Sequence, residues 1–285
     1  MFADPVERVL QASTCIIIFA ALLSVIGIAR GTDRELLFPI VTHVGHFDSV
    51  MFVLNPTEYR VAYRLHGEAP GSSGVTLDNS ASPMPPHSMR SFRPDGDINP
   101  VEYRGGWGSL KYRFLEVPPA DKERVKNLRL LAWTELRLSE LSHRPGPINL
   151  VTAIASIPAV EAALEFKVPG VFQKDKETAI AILNPSKEPI RIDVILHHYR
   201  EPISGAPDIQ VTNTLSLPPM QRLSGFLREL MSEGKDNPLE FPLSWAPKRS
   251  ILHIRGSAPI AVGALLYYRP GGVFGNLPVV RVDQK

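Results

Sequence analysis

The chain has 285 residues, 44% of them hydrophobic, with 27 prolines, 20 glycines and a formal charge of +2. That apolar fraction is enough for a packed core and excludes wholesale disorder. Both signs of charge are spread along the chain without a basic run, so the footprint of a nucleic-acid binder is missing. The single cysteine, Cys15, leaves no disulfide framework, zinc–thiolate site or cysteine nucleophile in the body.

The first predicted element is residues 12–29, ASTCIIIFAALLSVIGIA, which carry no charge. As a helix they span about 27 Å, close to the thickness of a hydrocarbon core. Two readings stand for residues 1–33: a cleaved signal peptide ending near Gly27 and Ala29, or an uncleaved signal anchor. Either one exports the body.

Two segments of the body then read alike. Phe38-Pro39, a polar gap, an apolar run and Leu54-Asn55-Pro56-Thr57 return as Val168-Pro169, a polar gap, an apolar run and Leu183-Asn184-Pro185-Ser186. Further pairs follow in the same order. Met84-Pro85-Pro86 with Phe92 matches Leu217-Pro218-Pro219 with Phe226. Leu110 and Tyr112 match Leu252 and Ile254, and Leu131-Ala132-Trp133 matches Ile260-Ala261-Val262. Ile157-Pro158 and Val160 match Leu277-Pro278 and Val280. Ordered self-similarity of this kind is the mark of a duplicated unit.

The apolar runs 50–54 and 179–183 have strand length, and Asn-Pro stops each one, because Asn bonds its own backbone and Pro cannot extend a ladder. Residues 190–194 alternate as a half-buried strand does. Residues 222–231, RLSGFLRELM, read as one short helix with Leu223, Phe226, Leu227 and Leu230 on a single face, capped by Ser224 and Gly234. The expected fold is therefore all-β: two tandem β-sandwich domains, 34–165 and 166–285, with one short helix, behind a transmembrane or signal helix.

This run of motifs, from Leu-Asn-Pro-Ser/Thr through Leu-Pro-Pro and Phe-Leu-x-Glu-Leu to the terminal Leu-Pro-Val-Val, resembles a class of uncharacterised exported bacterial proteins. They carry tandem immunoglobulin-like or fibronectin-like β-sandwich repeats. The resemblance covers most of residues 38–281 and is best in the second unit. The first unit lacks the Phe-Leu-x-Glu-Leu helix and carries extra charged residues between Asp121 and Arg129. The resemblance implies export and β architecture, and it brings no catalytic residues.

Three candidate chemistries come from the residues themselves. His43, His46 and Asp48 form H-x-x-H-x-D, which converges on a metal only if Gly45 turns the chain, and would serve a metal-dependent hydrolase. Trp107, Trp245, Tyr103 and Tyr267 offer an aromatic platform for a glycan or a protein surface, with Trp133 assigned to the core by alternation. Asp95, Asp97 and Asn99 are spaced as in a calcium loop but lack its later glutamate, and read as a polar turn. Gly105-Gly106-Trp107-Gly108 reads as a hairpin turn, and His66, His197 and His198 as structural. No Walker A loop, G-x-S-x-G elbow or H-E-x-x-H occurs. The expectation is a non-enzymatic structural or binding protein of the cell envelope or a secreted one, without a cofactor. It contacts the membrane through its N-terminal segment and has protein or glycan partners at its surface. The alternatives are a carbohydrate-binding module and a metal-dependent hydrolase using His43, His46 and Asp48.

Overall fold

The computed structural model describes residues 33–44, 47–68, 75–78, 82–93, 105–140, 150–199, 209–232, 250–269 and 273–282. About two thirds of them are in strands, and all the strand pairs are antiparallel. The first eight are β1 (Arg34–Val44), β2 (Phe47–Asn55), β3 (Val61–Glu68), β4 (Val75–Asp78), β5 (Ser88–Phe92), β6 (Gly105–Phe114), β7 (Leu131–Glu140) and β8 (Leu150–Pro158). The second eight are β9 (Ala163–Pro169), β10 (Lys176–Leu183), β11 (Ile190–His198), β12 (Ile209–Leu217), β13 (Arg222–Phe226), β14 (Ser250–Tyr268), β15 (Val273–Asn276) and β16 (Val280–Arg281). The run 12–29 lies outside the described residues. Among those described, no helix is long and apolar enough to cross a membrane.

In the first half, β4-β3-β6-β1 form a front layer and β5-β2-β7-β8 a back layer. Their inner faces share one core, with Phe38 of β1, Leu65 of β3 and Leu110 of β6 against Met51 of β2, Phe92 of β5 and Ala132 of β7. In the second half, β12-β11-β14-β9-β16 form the front layer and β13-β10-β14-β15 the back layer. A second core lies between them, built on Phe166, Val194, Ile254, Ile182 and Val262. β14 serves both layers, changing over at a register shift between Arg255 and Ile260, whereas β1 keeps β6 as its partner across its own shift between Phe38 and Val41 and reaches β2 only at His43 and Val44.

The Asn-Pro motifs occupy the same place in each half. Asn55 Nδ2 donates to Tyr59 O and Pro85 O, both at 2.8 Å, and Oδ1 accepts from Thr57 N and Oγ1. Asn184 Nδ2 donates to Glu188 O, Pro218 O and Leu217 O, and Oδ1 accepts from Ser186 N and Oγ. Both asparagines are fully buried. Each fastens the end of its strand to the Pro-Pro turn, where the next residue takes a left-handed φ, 49° at His87 and 54° at Met220.

The strand registers also adjust the pairs read from sequence. Leu54 and Leu183 occupy like positions, and across from them stand Leu131 and Ala261. Trp133 therefore corresponds to Gly263, one residue away from the sequence pairing. A one-residue slip in a strand changes the face. Trp133 accordingly leaves the core and lies on the outer face of the back layer, stacked on Phe52 with centroids 5.2 Å apart, while Ala132 points inward. In the same way Leu110 corresponds to Ile254, since Leu36 and Leu65 flank one and Phe166 and Val194 the other. Phe226 corresponds to the residue after Phe92 and shares the outward face of Ala179.

The predicted helix 222–231 is half strand. β13 pairs with β10 over residues 222–226, and only α2 (Leu227–Ser232) is helical. The exposed edge of β10 offers a ladder that an isolated short helix cannot match. The helix begins where Glu229 reaches back to the Phe226 N–H at 2.8 Å, half of a capping box. The buried Glu177 accepts from the Arg228 N–H, and Asn213 Nδ2 closes the other end on Leu230 O. Leu227, Leu230 and Met231 enter the second core. The charged stretch of the first half holds a shorter helix, α1 (Lys122–Val125), whose last carbonyls accept from the Arg34 guanidinium, including Val125 O at 2.8 Å and Lys126 O at 2.7 Å. Residues 105–108, expected as a turn, are part of β6. A Cβ on Gly108 would touch His66 O and Phe38 at 3.4 Å, so the glycine admits close strand packing.

Candidate functional site

β10 and the later part of β14 are apolar on both faces, as ETAIAIL and PIAVGALL show in sequence. One face carries Ile180, Ile182, Ile260, Val262 and Ala264 into the second core. The other presents Ala179, Ala181, Leu183, Ala261, Gly263 and Leu265, which are small or unbranched at Cβ. The first half sits on this outer face. Leu37 and Trp107 meet Leu183 and Ala261, and Leu136, Ala155 and Ile157 meet Leu265. A Cβ on Gly263 would lie 3.0 Å from Ile157 Cγ2 and 3.2 Å from Pro39 Cβ. Polar bonds frame the junction: the Trp107 indole N–H donates to Met220 O at 3.3 Å, Arg222 donates to Gly106 O, and the Ser156 N–H donates to Asn276 Oδ1 at 2.7 Å.

Where this cover ends, a cleft of about 400 Å³ opens between the halves. Its floor is Ala179 and Leu265, one wall is Ile40 and Leu136 of the first half, and the other is Phe226 and Phe274. Tyr267 packs between these two rings, with centroids 5.0 Å from Phe226 and 5.1 Å from Phe274. Ser224, Arg222 and Glu229 supply the polar lining. Such a cleft is sized for a small organic ligand, and domain junctions are a common place for one.

Two of the four expected platform residues, Trp107 and Tyr267, are described. Trp107 is buried in the junction, whereas Tyr267 stands half-buried behind the cleft wall. Tyr103 and Trp245 lie outside the described residues. His43 of β1 and Asp48 of β2 are cross-strand partners. His46 and the His43 side chain lie outside the description, as do Asp95, Asp97 and Asn99. Among the described residues, no three His, Cys, Asp or Glu side chains are grouped to hold a metal.

A polar cluster that the sequence did not announce lies on the outer face of the second front layer. The His253 and His197 rings are 4.7 Å apart, and His253 Nδ1 lies 3.4 Å from Glu165 Oε1. Arg255 donates to Glu165 Oε2 at 3.1 Å. Burial alone raises the Glu165 carboxyl, but the hydrogen bond and charge of Arg255, then those of His253, outweigh it and lower its pKa. Burial lowers the pKa of His253. The Glu165 hydrogen bond opposes this, and the charges of His197 and Lys167 reinforce it. At neutral pH, then, Glu165 pairs with Arg255 as an ion pair and receives a hydrogen bond from a neutral His253. His198 is buried, with Nδ1 2.8 Å from Ser250 Oγ across the β11–β14 ladder. These contacts tie neighbouring strands, and their only sequence signal is outward spacing on β9, β11 and β14. Comparison with protein-family models, curated proteins and solved structures returns no match.

Proposed function

We propose that this chain is a non-catalytic binding and scaffolding protein of the cell envelope. In this reading residues 34–165 and 166–285 are tandem β-sandwich domains that arose by duplication, and residues 1–33 carry the body out of the cytoplasm. The paired Asn55 and Asn184 networks, the like strand order of the two halves and the resemblance to exported tandem-repeat proteins support it. The uncharged run 12–29 supports export.

The observation that carries the binding role is the cleft walled by both halves. It pairs an apolar floor with aromatic rings and a polar lining. The aromatic wall favours a carbohydrate as ligand, since sugar rings stack on aromatic faces. A glycan array probed with the full-length chain tests this. Binding that falls at least tenfold with Phe274→Ala is expected, and signal unaffected by that change would remove the cleft from the reading. Export is tested by a reporter fused after Lys285. A fusion active only in the cytoplasm would overturn the envelope assignment.

A further inference from the structure

Among the described residues, nothing covers two apolar surfaces, and the correspondence between the halves relates both to the junction inside the chain. Among the described residues, six of the seven exposed large hydrophobic side chains fall on them. The first surface is the outer face of the first back layer. It holds Leu131 at 54% exposure, Met89 at 57% and Ile154 at 55%, beside the stacked Phe52 and Trp133. Leu131 stands where the second half has Ala261, and Trp133 where it has Gly263, so this is the counterpart of the face the first half covers. The second surface is a groove of about 490 Å³ at one end of the second half. It is lined by Lys167, Pro169, Tyr199, Ile251, Pro278 and Val280, with Val280 56% exposed. Lys167 pairs with Val280 there as Leu37 bridges Val160 in the first half, and Leu37 and Val160 belong to the surface that makes the junction.

The chain thus carries one used and one unused example of each partner surface. We infer that the unused pair meets between copies, the groove of one chain seating the Phe52–Trp133 face of the next. The sizes support this occupant. Inside the chain, bulky Leu37 and Trp107 press on Ala261, and Ile157 and Pro39 press on Gly263. Between copies the bulk changes sides: Leu131 and Trp133 stand on the floor, and the end opposite is hollow, with Gly170 following Pro169 as Ile40 follows Pro39. A contact between two different surfaces is heterologous and propagates head to tail. This inference rests on the tandem-domain reading.

Cross-linking in membranes from cells expressing the full-length chain tests it. In a Cys15→Ser background, Leu131→Cys and Val280→Cys correspond to Ala261 and Val160, which share one cluster in the junction. The chain carrying both substitutions should give a ladder of disulfide-linked multimers on oxidation. A mixture of the two single variants should stop at dimers. Adding Trp133→Glu, on the outer face, should erase both products, with circular dichroism confirming that this variant folds. Monomer alone from the double variant would overturn the inference. So would dimers from Leu131→Cys by itself, which would indicate a symmetric contact. A loss of multimers would leave the reporter and glycan results standing, so the two readings fail separately.

Discussion

Replacing Asn184 tests whether one buried side chain holds the second half together. Its amide donates to three carbonyl oxygens, of Glu188 at 2.8 Å, Pro218 at 3.0 Å and Leu217 at 3.2 Å, and its oxygen accepts from Ser186 N at 2.9 Å and Oγ at 2.7 Å. Asn184→Ala removes all of them at a fully buried position. An unsatisfied buried group costs about 1–3 kcal/mol, and several of these partners are only partly buried, so a total of about 3–5 kcal/mol is expected. That is a large part of a typical stability of about 5–15 kcal/mol. Asn184→Asp separates the two roles of the side chain. It keeps the acceptor that turns the chain at Ser186 but points oxygen at the carbonyls of Glu188 and Pro218, so it should destabilise as much as alanine. Urea unfolding, with midpoint and slope fitted together, measures both variants. A shift of less than about 1 kcal/mol for alanine, or near-wild-type stability for aspartate, would refute the reasoning. Asn55 makes four of the five equivalent bonds in the first half, lacking a counterpart of the Leu217 O bond, and should respond in the same direction.

Gly263→Val should wedge the halves apart at Ile157 and Pro39, costing about 1–3 kcal/mol as overpacking does, and a thermal melt would show a lowered midpoint or a split transition. Leu230→Ala, in the second core, should cost about 2–5 kcal/mol, whereas Phe226→Ala, half-buried on the cleft wall, should cost clearly less; equal losses would place Phe226 in the core after all. Because the pKa of His253 is lowered in the fold, its contribution is complete above the unfolded value of about 6.5 and is lost as pH falls through the folded value. The lowered Glu165 acts in the same direction at more acid pH. Urea midpoints measured from pH 7.5 downward should therefore decline, and His253→Gln should flatten the first part of that decline.

Strands and their ends were legible because backbone chemistry is local. An apolar run closed by Asn-Pro needs no distant partner to be read as a strand that stops. What escaped depended on the other face. RLSGFLRELM carries a helical stripe, yet Arg222 to Phe226 pair with β10, and nothing within the segment announces that ladder. Trp133 and Ala132 alternate correctly, but which of the two faces inward depends on a register set by β2. The junction did leave a signal in the unbroken apolar runs of β10 and β14, with small residues at every second place on the outward side. Runs of that kind mark strands buried on both faces, and here they mark the seat of the first half. The cleft itself was not legible, since its walls come from residues as far apart as Ile40 and Phe274.

That seat also bears on the order in which the chain is made. Leu37, Trp107, Leu136 and Ile157 all precede Ala163, so the ribosome has released the covering surface before β10 and β14 exist. Domains fold as units, N-terminal first, during synthesis. When the Ala-Gly-Leu face of the second half emerges, the residues that cover it have already left the ribosome. In a chain with the halves exchanged in sequence, the same face would appear first and stay bare through the synthesis of more than a hundred residues, open to any sticky neighbour. The natural order shortens the time for which this apolar face stands bare.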